Sequence, residues 1–525
     1  MNRLCDGIKQ RLYANKKRLL YCLAVTFLFG LAAHAYMYCQ DAFSHDSLNE
    51  FNGQQYIHWK TQLGRFLVPV YRLFTRGDLT LPWLIGLISL FWTSLAVFVT
   101  TKIFDVRSKM LAALIAGFFV TNVTVTATTA TYIIDLDANM LALLLAVLSV
   151  YLWQRYKWGH LLGAVLAFAV FALYQSYISV TITLILIILI LQLLNHADFK
   201  SVFIKGLRAI LMLAIAGAAY YTAYKGVLYL SNLDAVNTYN SLEKMLSLEF
   251  VKLILDTART YLFTVKYILF APSSLPAFAT AAISTLCILT AGVIILAKIF
   301  RKEIGIKEKL LTLLLIALLP MGMNISKILA NGMSHDLMHF AVWLVYLFVL
   351  LVLYNANTLI PKENTIISRI GKYGKQLCTL LMCIMLLGNI VLANQVYVKK
   401  DLEQDATLAY FTRVIDRMDT TEGYNRTETP VVFIGQPDYL SDNMEGFEAP
   451  GALIGANYHY VLGAAQPDYY DSYFAYKLHY KILVADNFED FLEKQAVLDM
   501  PVFPQQGSVQ IIDGTLVVKL GHPIE

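Results

Sequence analysis

Charge is what this chain lacks most. Asp, Glu, Lys and Arg make up 15% of its 525 residues, where soluble proteins carry about 25%. The deficit sits in apolar runs of about 20 residues, the length that spans roughly 30 Å of hydrocarbon. An ordinary soluble fold is thereby excluded. The signatures of nucleotide and acyl chemistry are also missing: there is no Walker A loop, no GxGxxG after a strand, no GxSxG and no kinase set. The six cysteines, Cys5, Cys22, Cys39, Cys287, Cys378 and Cys383, include no CxxC pair and leave the last 131 residues without a thiol. That spacing excludes a disulfide framework and a cysteine-based zinc site. No internal repeat is visible, although transporters are often built from repeated halves.

What is present is a membrane pattern. Eleven apolar runs, near 18–39, 81–103, 110–131, 138–154, 159–177, 178–195, 206–230, 275–299, 309–326, 336–354 and 376–395, read as spans. Basic residues gather between them, at Arg107 with Lys109, Arg155 with Lys157, and Lys200 with Lys205 and Arg208. Two more basic loops run from Arg301 to Lys309 and from Lys362 to Lys375. With eleven spans, all of these fall on the side of the basic N-terminus. Basic loops face the cytoplasm, so the N-terminus is expected inside and the C-terminal tail outside.

The net charge of +5 is unevenly spread, with −11 on residues 395–525 and +16 on the rest. A basic membrane part and an acidic tail argue against nucleic acid as a partner. The expected organisation is a membrane domain over 1–395 and a small extracytoplasmic α/β domain over 396–525. In the tail, residues 401–420 have helical spacing and Val431–Gly435 reads as a strand entering a turn. Asp513-Gly514, inside the alternating stretch Ser508–Leu520, is a hairpin signal of the type I′ kind. Residues 249–270 carry Glu249, Lys252, Asp256 and Arg259 at intervals of three or four. That spacing places the charges on one helix face, so the segment is expected to lie at the outer interface.

The chemistry is expected on the same outer side. The first external loop, 40–80, opens with Asp41, His45, Asp46 and Glu50 close to the membrane surface. Carboxylates or a histidine there can serve as a general base. Gly64-Arg65 follows, and an interfacial guanidinium suits a phosphate. The next external loop carries Asp135 and Asp137 between two apolar runs, and ionisable groups at membrane depth mark function. Tyr174 and Gln175 close the fifth run on the outside. Beyond the ninth run lie Asn324, Lys327, His335, Asp336 and His339. His335 and His339 have a spacing that suits a metal, so a divalent metal stays open while no cofactor is implied. Short basic loops inside and acids outside favour a donor that needs no cytosolic nucleotide, such as a lipid-linked sugar phosphate.

Six stretches add a family resemblance: QDAFSHDSLNEF, GRFLVPVYRLF, YIIDLDANM and FALYQSYIS, with TPVVFIGQPDY and MPVFPQQGSVQIIDGTLVVKL in the tail. In this order the chain resembles the bacterial glucosyltransferase II family of O-antigen-modifying membrane proteins. That family is in turn similar to the C-type glycosyltransferases. The resemblance implies transfer of glucose from a polyprenyl phosphate carrier to a surface glycan outside the membrane. It places the catalytic acid at Asp41 or Asp46, and assigns Arg65, Asp135 and Asp137 to the family's Gly-Arg and second acidic loop. His45, Glu50, Tyr174, Gln175, Lys327 and Arg259 are then candidates for holding substrate. The rival readings are a surface-polysaccharide polymerase, a flippase of lipid-linked sugars, and an acyltransferase using His335 or His339.

Overall fold

A computed structural model describes residues 2–40, 53–77, 79–236, 250–300, 304–329, 335–355, 366–435, 437, 453, 455–456, 467–485 and 488–522. The chain begins with the long helix α1 (Asn2–Cys39). Two short helices, α2 (Gly53–Gln62) and α3 (Leu67–Thr75), follow before α4 (Pro82–Ile103). Next come α5 (Lys109–Thr121), α6 (Val123–Thr131), α7 (Ile133–Arg155), α8 (Gly159–Tyr174) and α9 (Ile178–Leu194). Beyond them lie α10 (Phe199–Ser231), α11 (Phe250–Phe270), α12 (Ala277–Ile299), α13 (Ile306–Met323), α14 (Ile325–Leu329) and α15 (Leu344–Tyr354). The last and longest helix is α16 (Ile366–Asp419), which passes residue 395 without a break.

Among the described residues, eight helical stretches are long and apolar enough to cross a membrane. The protein is therefore a multi-pass, mostly helical membrane protein. The three further segments of the eleven-span reading differ from these eight for visible reasons. Residues 178–194 continue from 159–174 in one 36-residue helical stretch. The helix α13 opens on Lys307, Glu308 and Lys309. The apolar helical segment Phe340–Tyr354 is shorter than the rest. The amphipathic α11 is not among the eight.

Local chemistry explains where the helices break. Asn122 ends α5 in an extended conformation, and its side-chain oxygen accepts the Val125 N–H to cap α6. Tyr132 alone separates α6 from α7. Tyr174, with φ −158° and ψ 107°, interrupts α8 before a short 3-10 turn leads into α9. From that apex the helices diverge, α8 packing mainly on α7 and α10, and α9 mainly on α13. The amphipathic α11 packs across α12, α13 and α14. One contiguous apolar core joins α1 to α16.

The tail forms a small domain around a four-stranded sheet of order β2-β1-β4-β3. Its strands are β1 (Pro430–Ile434), β2 (Leu483–Val484), β3 (Val509–Ile512) and β4 (Thr515–Lys519). β1 pairs in parallel with β2 and β4, while β3 and β4 form the expected antiparallel hairpin. Asp513 and Gly514 turn it with φ 50° and 76°, as a type I′ turn requires. Both faces of the sheet are covered. Val431, Phe433, Leu516 and Val518 join a core with Phe411 and Phe474. Val432, Ile434 and Val517 join the opposite core with Phe491 and Val497. This period of two is what an internal strand buried on both faces shows.

Close approach of α1 and α4 depends on a glycine. A Cβ on Gly86 would stand 2.5 Å from ring carbons of Tyr38, whereas one on Gly217 would meet nothing within 4 Å. Gly86→Ala is expected to lower the melting temperature of the detergent-purified protein, with an overpacking cost of about 1–3 kcal/mol. Gly217→Ala is expected to leave it unchanged or slightly raised. Equal melting temperatures for the two variants would contradict this packing.

Candidate functional site

The first loop and the start of α7 are locked together by two buried ion pairs. Asp135 and Asp137 are 3% and 0% exposed. They were expected in a short external loop, but α7 begins immediately after Tyr132 and carries both in its first turns. Burial there demands a cation for each carboxylate. Lys60 of α2 donates to Asp135 Oδ2 at 2.5 Å. The Tyr56 hydroxyl donates to Asp135 Oδ1 at 2.6 Å. Arg76 donates from Nε to Asp137 Oδ2 at 3.2 Å and also bonds the Ile134 carbonyl. Burial and the adjacent Asp135 carboxylate hold the Tyr56 phenol well above its ordinary pKa, so it stays a donor. The Arg72 guanidinium lies over the Tyr56 ring, 4.2 Å from its centre.

Arg65 is placed by the turn between α2 and α3. Gly64 makes that turn with φ +78°, and a Cβ there would meet the Tyr220 hydroxyl at 2.1 Å. Only glycine combines this backbone with so close a neighbour. The turn is tied down on the 3-10 turn after α8 and on α10. Gln175 Nε2 donates to the Leu63 carbonyl at 2.9 Å, and Tyr220 donates to the Gly64 carbonyl at 3.2 Å. Tyr224 donates to the Gln62 carbonyl at 2.6 Å. The Arg65 guanidinium is then set over the Tyr174 ring, 4.5 Å from its centre. Its charge acts on Asp135 together with that of Lys60.

A second cluster adjoins the first across the helix apex. Ser176 donates to the Met338 carbonyl at 2.9 Å, and the rings of Tyr177 and Phe340 lie 5.5 Å apart. His339 is 1% exposed and packs on Tyr267 and Phe263 at 4.5 and 5.3 Å. Tyr267 donates to Asp336 at 3.1 Å. Lys327 lies over the Phe263 ring at 4.6 Å, and its pKa is lowered by burial, with Asp256 opposing. Arg259 pairs with Asp256 at 3.5 Å and is mostly exposed. Asn324 is fully buried, and neither end of its amide finds a hydrogen-bond partner among the described residues.

The tail reaches the same end of the bundle. Lys400 of α16 donates to the Ala130 carbonyl at the end of α6. Leu453 and Ala456 belong to the membrane core, and Gly455 is pressed against Thr131.

A sequence model of the glucosyl transferase GtrII family matches residues 35–352, more than half of the chain. The chain belongs to this family. It is therefore a glycosyltransferase of the membrane-embedded kind. No curated protein and no solved structure matches it. The family match covers both clusters and stops before α16 and the tail.

Of the residues singled out in the sequence, Arg65, Asp135, Asp137, Tyr174 and Gln175 meet in the first cluster. Lys327 and Arg259 belong to the second. Asp41, His45, Asp46 and Glu50 lie outside the described residues. No group of three metal-ligating side chains occurs among the described residues. Sequence reasoning missed Lys60, Arg72 and Arg76, although cations spaced through the otherwise apolar run from Trp59 to Arg76 were a signal. Among the described residues of this cluster, the cations Lys60, Arg65, Arg72 and Arg76 outnumber the carboxylates Asp135 and Asp137.

Lys60→Met removes the ion-pair partner of the buried Asp135, leaving it the Tyr56 hydroxyl and the Arg65 charge, and is expected to cost up to about 3–5 kcal/mol of stability. The double variant Lys60→Met/Asp135→Leu should recover most of that loss. Melting curves in detergent for both single variants and the double variant measure the coupling. Additive losses would show that the pair does not interlock loop and helix.

Proposed function

We propose that the protein transfers glucose from a polyprenyl phosphate carrier to a surface glycan on the extracytoplasmic side of the membrane. The observation that carries this reading is the cation-rich cluster around Arg65 at one end of the bundle. A guanidinium held in place by a glycine turn and an aromatic face is pre-organised to receive a phosphate. The acidic stretch with Asp41, His45, Asp46 and Glu50 leads directly into the helix that bears Lys60. The gathering of basic loops at the opposite end supports an N-terminus inside and a tail outside.

In the proposed reaction, Asp46 or Asp41 takes the proton of an acceptor hydroxyl as its oxygen attacks the anomeric carbon of the glucose. The bond from that carbon to the phosphate oxygen breaks, and its electron pair leaves with the polyprenyl phosphate. Arg65 stabilises the charge that develops on the phosphate, with Lys327 or Arg259 as further cations. His45 and Glu50 help to hold the sugar, as do Tyr174 and Gln175. Asp135 and Asp137 hold the first loop in register through Lys60 and Arg76. The amphipathic α11 forms one side of a groove for the lipid, with the tail, 396–525, as a separate domain that binds the acceptor glycan.

The test uses purified protein in detergent and a short-chain polyprenyl phosphate carrying radiolabelled glucose. Release of the carrier in the presence of a crude surface glycan is followed. Asp41→Asn/Asp46→Asn is expected to abolish release with an unchanged melting curve, and the two single variants identify the base. Full activity in the double variant would overturn the assignment. Arg65→Ala should lower kcat by roughly 100- to 1,000-fold, the loss seen when one charge-stabilising donor is removed. An Arg65→Ala enzyme that keeps its kcat would remove Arg65 from the reaction.

A further inference from the structure

A cavity of about 290 Å³ lies at the far end of α7 from Asp135 and Asp137. Twenty residues separate Asp135 from Arg155, which is roughly 30 Å of helix at 1.5 Å per residue. The cavity therefore opens at the opposite end of the bundle from the cluster around Arg65. Its wall is strongly cationic, with Arg155 at the end of α7, Lys157 on the turn between α7 and α8, and Lys205 and Arg208 on α10. Lys205 and Arg208 are three residues apart and share a helix face. Lys205 is oriented by Gln192, whose Oε1 accepts from its ammonium at 3.0 Å. Among the described residues none of the four is paired with a carboxylate. Four like charges facing one cavity repel each other unless an anion joins them.

The surroundings indicate what kind of anion. Trp153, Gln154 and Tyr156 complete the wall, and the neighbouring Trp158 is 64% exposed. Aromatic rings of this type sit at the level of lipid headgroups. Next to these cations, α8 and α10 carry exposed apolar side chains, Leu162 and Val165 on α8 and Leu207 and Ile210 on α10. A phosphate in the cavity would thus have acyl-chain surface directly beneath it, which a soluble phosphate does not use.

We propose that this cavity is a binding site for an anionic phospholipid, its phosphate held by Arg155, Lys157, Lys205 and Arg208 and its chains lying along α8 and α10. The site is separate from the sugar-transfer cluster and does not depend on its assignment.

The experiment measures melting of the detergent-purified, delipidated full chain with added cardiolipin, phosphatidylglycerol, phosphatidylcholine or inorganic phosphate. Cardiolipin and phosphatidylglycerol are expected to raise the melting temperature, and phosphatidylcholine and inorganic phosphate are not. In Lys205→Gln/Arg208→Gln the apparent affinity for the anionic lipids should fall about thirty-fold, since each Lys or Arg near an anionic headgroup contributes roughly a factor of five. Lys307→Gln/Lys309→Gln removes the same charge from the start of α13 and should leave the response intact. If the first double variant does not fold, the single variant Arg208→Gln should show about a five-fold loss. An equal shift with phosphatidylcholine, or an undiminished response in the pocket variants, would overturn the proposal. An equal shift with inorganic phosphate would overturn the lipid assignment and leave a free-anion site.

Discussion

Two carboxylates buried at the start of one helix set the requirements that the surrounding structure meets. Asp135 and Asp137 sit in the first turns of α7, where the positive end of the helix dipole favours them. The dipole alone does not offset full burial, so each needs a cation. Both cations come from the first loop, Lys60 from α2 and Arg76 from the end of α3. The loop is thereby drawn down onto α7, and the glycine turn between its two helices carries Arg65 against Tyr174. Loop, helix start and helix apex form one interlocked unit.

The two ends of the bundle are electrostatically different, and the difference is built from different materials. At the end of Asp135, cations are buried and matched to carboxylates or aromatic faces. At the end of Arg155, three of the four are exposed, Lys205 is half-buried, and all line one cavity. The first arrangement fixes geometry, because a buried charge tolerates little displacement. The second is adaptable and suits a headgroup in a fluid membrane. On the proposed reading, with a donor taken from the bilayer, the rigid kind of site is needed where bonds change partners.

The sequence disclosed whatever depends on short-range pattern. The helical spacing of charges over 249–270 pointed to the helix α11, and Asp513-Gly514 pointed to the hairpin of β3 and β4. Asp135, Asp137 and Arg65 stood out because ionisable groups in apolar surroundings are costly. Their partners did not stand out, because the pairing of Lys60 with Asp135 spans 75 residues. No local pattern reveals which of several cations in a loop will be buried. Breaks within apolar runs were equally hidden. Asn122 is a recognisable helix cap, yet hydropathy runs straight through it, and Tyr132 carries no breaking signal. The segment holding Asp135 and Asp137 therefore read as a loop when only one residue interrupts the helices.

The central claim is that the cluster around Arg65 receives the phosphate of a lipid-linked sugar. The most direct measurement is an electron cryo-microscopy structure in a lipid nanodisc with polyprenyl phosphate glucose bound. The account predicts the phosphate within hydrogen-bond distance of the Arg65 guanidinium, with the sugar directed toward the segment holding Asp41 and Asp46. A phosphate bound instead among Arg155, Lys157 and Arg208, with Arg65 still stacked on Tyr174 and no sugar beside it, would contradict it.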